Sequence, residues 1–452
     1  MGKTLFTRPS GLAPKVLSLE IFAPKVFSFG KKKRNTSFPF LFHSLFVPLC
    51  HHNDIVMEKM NKLFTVILVL LMSARLQAQT VEPDPSGMGM TAQEWTRQVK
   101  MGWNLGNSLE SQGGETAWGN PKTTQAMIKA VKAAGFNAIR IPVRWSEKVT
   151  STSNMNVGTS WLARVKEIVD YSLKAGLYVV INQHWDGGWL ENNIDKTGTA
   201  KTNNMAILQR CWEQIAETFK DYDERLLFAG LNEPNSEDNP KDTTIQNLID
   251  YEQKFIDVVR ASGGNNAKRV LIVQGPSTNI DKTCQYMAGK MPTDPAGRLM
   301  VEVHYYAPWN FWGMEKDESW GNMFYYWGTE NHVCGSKHNA THGEEDYMEE
   351  QLEKMRTQFA EKGIPVYIGE FGANWRTITG AYERQEKHDS SLQYHYKTFM
   401  KKCIQKGLVP VIWDTNYRGM PSMTIINRKD LNIYNEYMMK GLREAMEEAV
   451  VR

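Results

Sequence analysis

From Met101 onward, short apolar or β-rich runs recur along the chain: MGWNLGN (101–107), NAIRIPV (137–143), LYVVINQ (177–183), LLFAGL (226–231), RVLIVQ (269–274), LMVEVHYY (299–306), PVYIGEFG (365–372) and LVPVIWD (408–414). Each has the length of a strand, and helical patterns lie between them. Leu162, Val165, Val169 and Leu173 follow one helix face up to Gly176, and Leu392, Tyr396, Phe399 and Cys403 do the same up to Gly407, with each glycine placed as a C-terminal stop. Alternation of strand and helix implies a parallel sheet, and eight such units favour closure into a (β/α)8 TIM barrel over an open doubly wound sheet. No G-x-G-x-x-G follows the first strand, and neither an internal repeat nor a second domain is visible. The pattern predicts an α/β fold in a single domain, carrying a long loop from Tyr305 to Glu344 rich in Trp, Tyr, Gly and His.

The first 78 residues read differently. A short basic start at Met57 to Lys62 leads into the apolar run LFTVILVLLM, which has the length of a signal-peptide core and is too short to span a membrane. Residues 57–78 are therefore expected to be a signal peptide and the protein to be exported. Residues 1–56 would be an upstream extension ahead of the true start, and 79–452 the barrel domain. This division changes the charge balance. Of 53 Lys/Arg and 50 Asp/Glu, residues 1–56 hold eight and two and residues 57–78 hold three and one, which leaves 42 against 47, a net charge of −5, for the remaining 374. An acidic domain without a basic run gives no electrostatic case for nucleic acid. The four cysteines after the leader, Cys211, Cys284, Cys334 and Cys403, are widely spaced and form no framework on which the fold would depend.

In a barrel of this kind the reactive groups gather at the C-terminal ends of the strands. Two of those ends carry glutamate: Glu233 follows strand four in LNEPN, and Glu370 closes strand seven. One such glutamate alone is more often a salt-bridge partner or a cap. Two that face one mouth suit glycoside hydrolysis, in which one carboxyl protonates the leaving oxygen while the other attacks the sugar carbon or activates water.

Their contexts resemble a known family. GWNLGNSLE (102–110), ETAWGNPKTT (115–124), IRIPVRW, the NEP after strand four, VHYYAPWNFWG (303–313) and IGEFGA (368–373) are similar to glycoside hydrolase family 5 of clan A, most of all to its cellulase and xyloglucanase-type subfamily 4. The resemblance covers Gly102 to about Asn416. It implies Glu233 as acid/base and Glu370 as nucleophile of a retaining double displacement. Asn232 would hydrogen-bond the sugar 2-hydroxyl without adding a charge beside the acid. Arg140 would keep Glu370 ionised and oriented, and His184 matches the family's strand-three histidine. His304 and Tyr306 would tune the acid/base and hold the nucleophile. Asn104, Trp185, Trp309 and Trp413 are implied as substrate contacts. Two departures stand out: Trp185 occupies a position where many members carry a second His, and Trp413-Asp414 replaces a frequent Trp-Trp-Asp.

Seven of the fourteen tryptophans, Trp145, Trp185, Trp189, Trp309, Trp312, Trp375 and Trp413, fall at or just after strand ends, as expected of platforms for sugar rings. An acidic, aromatic cleft fits a neutral polysaccharide. The resemblance implies endo-cleavage of β-1,4-glucans, including cellulose chains, mixed-linkage glucan and xyloglucan, in plant polysaccharide. An endo-β-1,4-mannanase is the alternative within the same chemistry, and a non-catalytic carbohydrate-binding barrel the alternative outside it. Two-carboxylate hydrolysis needs no metal or organic cofactor. His332, Cys334, His338 and His342 are metal-ligand types, but their spacing matches no established pattern and a solvated loop is expected there.

Overall fold

The computed structural model describes residues 88–146, 149–151 and 155–450; the expected leader and signal peptide lie outside them. All eight predicted runs form strands: β1 (Gly102–Asn104), β2 (Ala138–Ile141), β3 (Tyr178–Asn182), β4 (Leu226–Ala229), β5 (Leu271–Gln274), β6 (Leu299–Tyr305), β7 (Val366–Phe371) and β8 (Val409–Ile412). Each pairs in parallel with its sequence neighbours, and β1 pairs with β8, so the sheet closes into a (β/α)8 barrel.

Strand alternation explains how one short run serves two cores. Alternate positions within each strand separate cleanly: Ile139, Ile141, Val179, Ile181, Val301 and Val303 pack outward against the helices, whereas Ala138, Val180, Leu227, Ile272, Met300, Tyr367 and Val411 fill the barrel. The longer helices are α1 (Ala92–Gln98), α2 (Gln125–Ala134), α3 (Thr159–Lys174), α4 (Gly198–Phe219), α5 (Asp242–Ala261), α6 (Ile280–Met287), α7 (Glu345–Gln358), α8 (Gln385–Gln405) and α9 (Glu436–Val450), and α2 to α9 make up the outer ring. Helices α3 and α8 end where the sequence predicts, with Gly176 at φ 74° and Gly407 at φ 70°, a conformation that costs glycine little.

Helix α1 lies outside the eight-unit count. It starts on a Thr91/Glu94 capping box and inserts Trp95 among the interior residues, where the indole meets Tyr178 at 5.7 Å and Tyr367 at 6.2 Å. The helix thus plugs the end of the barrel opposite the catalytic mouth; burial of a side chain this large contributes about 2–3 kcal/mol.

One irregularity decides where the chemistry sits. Along β7, Val303 of β6 pairs with Ile368 but His304 pairs with Glu370, and on the other side Pro410 pairs with Ile368 but Ile412 with Phe371. Strand seven therefore carries one extra residue relative to both neighbours, a bulge centred on Gly369. With Tyr367 inside and Ile368 outside, unbroken alternation would send Glu370 outward. The bulge returns it to the interior.

Candidate active site

Above the apolar interior lies a polar layer formed by inward positions toward the strand ends: Asn104, Arg140, Asn182, Gln274 and Glu302, all fully buried. Arg140 is its hub. One guanidinium nitrogen lies 2.8 Å from Glu370 Oε1 and 3.1 Å from Asn104 Oδ1, and the other lies 2.8 Å from Asn232 Oδ1 and 3.1 Å from Glu302 Oε1. A rigid fork of donors suits this site because it can span several oxygens at fixed geometry. Since guanidinium can only donate, Asn232 must turn its oxygen to Arg140, which leaves the amide Nδ2 to face away from it.

Glu370 is buried at the end of β7, with Arg140 on Oε1 and the Tyr306 hydroxyl donating to Oε2 at 3.0 Å. Burial pushes its carboxyl above the ordinary glutamate value, the His304 and Arg140 cations pull it back, and Glu233 and Glu302 add to the rise. Tyr306 is held well above the usual phenol range by its own burial and by the Glu370 charge, so it keeps the proton it donates. Glu233 is the more open of the pair, with its side chain 40 % exposed and Oε1 2.9 Å from His304 Nδ1. A Glu233 oxygen, a Glu370 oxygen and a His304 ring nitrogen all lie within 4.8 Å of one another. The two glutamates therefore do converge on one mouth.

The two histidines adopt opposite states for an electrostatic reason. Burial disfavours a cation on both. His304 has carboxylates on either side, and Glu370, Glu233 and Glu302 outweigh burial and push its imidazole up to about 10. His184 is also buried but faces Arg140 and His304, so it is pushed well below the usual range and stays neutral. Its ring stacks on Trp413 at 5.6 Å and 10°. Trp413 in turn is seated by Gly106 of GWNLGN, where a Cβ would lie 2.9 Å from the indole.

Not every expected substrate contact lies open to the cleft. Asn104 is fully buried, and its Nδ2 donates to the carbonyls of Gly369 and Ile412 at 2.8 and 3.2 Å, a position from which it orients Arg140. Trp185 is 39 % exposed and sits over the Arg144 guanidinium at 5.3 Å, while Trp309 is 50 % exposed. Trp145 is wholly core. Conversely Trp118 and Trp320, outside the expected set, are more than half exposed. Asp414 after Trp413 is structural: it accepts from the Trp103 indole and from the backbone of Ile425 and Ile426, and it pairs with Arg428.

The histidines of the long loop do not converge on a cysteine. His332 Nε2 pairs with Glu344 at 2.9 Å, His338 Nδ1 donates to the Met323 carbonyl at 2.9 Å, and His342 packs on Phe324. Among the described residues the four cysteines are free, and only Cys334 is exposed.

Three site residues escaped the sequence reading. Glu302 lies two residues before His304 on the same strand face, a period-two signal that was available. Gln274, also inward on its strand, donates to Glu302 Oε2 at 2.5 Å and accepts the Leu231 N–H at 2.7 Å. Glu191 comes from the loop after β3 and inserts beneath the NEP turn, where Oε1 accepts the Glu233 N–H at 2.7 Å and Asn232 Nδ2 at 3.2 Å. No local pattern marks it.

A barrel whose mouth opposes two carboxyls, one buried on an arginine and one reachable from solvent, is built to cleave glycosidic bonds, and the protein is a glycoside hydrolase. Comparison places it more closely: residues 104–419 match the cellulase family, glycosyl hydrolase family 5, and the chain belongs to that family. It is 34 % identical over 421 residues to Endoglucanase A of Paenibacillus barcinonensis, covering 86 % of this chain and all of that protein. A xyloglucan-specific endo-β-1,4-glucanase of Bacteroides ovatus is 35 % identical over 353 residues, covering 75 % of this chain and 68 % of the relative. Among solved structures, a xyloglucan-specific β-1,4-glucanase from a ruminal metagenomic library, in complex with XXLG, superposes with a TM-score of 0.73 at 42 % identity, covering 79 % of this chain and 96 % of that one.

Proposed function

We propose that the protein is an exported endo-β-1,4-glucanase that cleaves internal bonds of β-glucans, xyloglucan among them, with retention of configuration. The observation that carries the mechanism is the approach of the two carboxyls. Retaining enzymes hold them about 5–5.5 Å apart and inverting enzymes about 6.5–9.5 Å apart, and oxygens of Glu233 and Glu370 here lie within 4.8 Å. That closeness favours the retaining geometry, in which Glu370 attacks the anomeric carbon directly while Glu233 protonates the leaving oxygen. In the second half, ionised Glu233 takes a proton from water that attacks the glycosyl-enzyme.

The neighbours match this division. Arg140 and Tyr306 spread the charge on Glu370 before attack and receive it again when the ester breaks. The orientation that Arg140 imposes on Asn232 leaves Nδ2 as a donor for the 2-hydroxyl, and neutral His184 offers a contact without competing charge. Trp185, Trp309 and Trp413 supply flat faces for sugar rings. Endo-action on β-1,4-glucan and xyloglucan is supported by the relatives' activities, and export by the apolar segment at 57–78.

The test is hydrolysis by the purified protein of β-glucan, xyloglucan, carboxymethylcellulose, mannan and xylan, scoring new reducing ends and product sizes. Internal cleavage of glucan or xyloglucan is expected. Cleavage of mannan alone would replace the substrate assignment with the mannanase, and binding without cleavage would reduce the barrel to a lectin. Glu233→Gln and Glu370→Gln should each lower turnover by about 10²-fold or more while the barrel stays folded; near-native turnover by either would overturn the roles.

A further inference from the structure

Glu302 takes no direct part in the displacement, yet it is fully buried beside the reacting groups. Its Oε1 lies 3.1 Å from Arg140 and 3.2 Å from His304 Nε2, and its Oε2 accepts from Gln274 at 2.5 Å. The space it fills is made by the β7 bulge: a Cβ on Gly369 would fall 1.8 Å from Glu302 Oε1. A carboxylate in this interior is costly unless it is paired and hydrogen-bonded, and every contact holds it against one edge of the His304 ring. The other edge of that ring faces Glu233.

We propose that Glu302 is a positioning residue that, through His304, confines the catalytic proton of Glu233 to the oxygen facing the substrate. The inference rests on Glu233 being the acid. A neutral imidazole has one N–H. If it spent that proton on Glu302, Nδ1 would become an acceptor, and protonated Glu233 would donate to the ring instead of to the glycosidic oxygen. With a carboxylate fixed at Nε2, the ring carries protons on both nitrogens and donates to Glu233 Oε1, so the acid proton belongs on Oε2. The titratable groups facing the ring are Glu302 from its own strand, Glu233 after β4, Glu370 on β7 and His184 after β3, with Arg140 and Tyr306 hydrogen-bonded to Glu370. Burial works against the Glu302 anion, but Arg140, His304 and Gln274 hold it below the ordinary glutamate value. Hence it stays charged across the working pH range.

The experiment compares kcat/KM on two substrates, a cello-oligosaccharide whose departing sugar needs protonation and a 2,4-dinitrophenyl β-cellobioside whose leaving group does not. Glu302→Gln should lose about tenfold or more on the oligosaccharide and less than about threefold on the aryl glycoside, a fraction of what general acid catalysis supplies. Nitrogen-15 NMR of the His304 ring should change from two protonated nitrogens at pH 7 to one. Equal loss on both substrates, or an unchanged ring spectrum, would overturn the proposal. Should that variant not fold, Glu302→Asp keeps the anion near Arg140 but withdraws it from His304, and the same two measurements decide. Glu233→Gln serves as the reference: if it shows no selective loss, the acid assignment itself fails, whereas selective loss there without it in the Glu302 variants refutes only the role of Glu302.

Discussion

Replacing Glu191 with glutamine tests the arrangement beneath the NEP turn through its dependence on pH. Burial, and secondarily the Glu233 charge, raise the Glu191 carboxyl from about 4.5 to about 8, so in the folded protein it is neutral at pH 7. In the unfolded chain it ionises near 4.5. Below that value both states hold the proton and folding loses nothing; as pH rises toward 8 the unfolded state gains ionisation that the folded state lacks, and stability falls. At about 1.4 kcal/mol per tenfold difference in ionisation, the gap between about 4.5 and about 8 amounts to about 5 kcal/mol above pH 8 and about 3 kcal/mol at pH 7. Glutamine has the same shape, still accepts the Glu233 N–H and carries no proton to lose. Urea unfolding of wild type and Glu191→Gln at pH 5, 7 and 9 should therefore show the variant gaining on the wild type by several kcal/mol across the series, while its turnover at pH 6 stays within about threefold. A stability difference that does not change with pH would refute the claim that Glu191 is buried neutral against Glu233.

Arg140→Met leaves Glu370 and Glu302 buried without their cation and should cost about 3–5 kcal/mol in urea unfolding, with activity lost; a variant as stable as wild type would mean the ion pairs are not buried as described. Gly369→Ala drives a methyl group into the Glu302 carboxylate, and a tenfold or greater fall in kcat is expected even where the protein folds. Because the Glu370 carboxyl lies above its ordinary 4.5, and it must be ionised to attack, kcat/KM should decline on acidification through a value above 4.5, readable as the acid limb of the pH profile. The first product released from β-glucan should be the β-anomer by proton NMR; initial α-anomer would exclude direct attack by Glu370.

The sequence alone determined the eight strands, their parallel closure and the two glutamates, because each rests on neighbours within a few residues: short apolar runs, glycine-stopped helical faces, and NEP or IGEFG at strand ends. The family resemblance added Arg140, Asn232, His304 and Tyr306, carried by IRIPV, NEP and VHYYAPWNFWG. Only the tertiary structure decided which face Glu370 takes. Read by alternation along PVYIGEFG it points away from the mouth, and the bulge that reverses it exists only as a mismatch between β7 and the strands on either side. The same holds for Glu302, Gln274 and Glu191, which meet the catalytic groups across strands or from a loop distant in sequence. It holds too for Asn104, whose motif suggests a sugar contact but whose amide is drawn into the barrel by two neighbouring carbonyls. Local pattern fixes what a residue is and which element carries it, whereas the charge it holds and the oxygen it touches depend on inter-strand register and burial, and those arise only when the barrel closes.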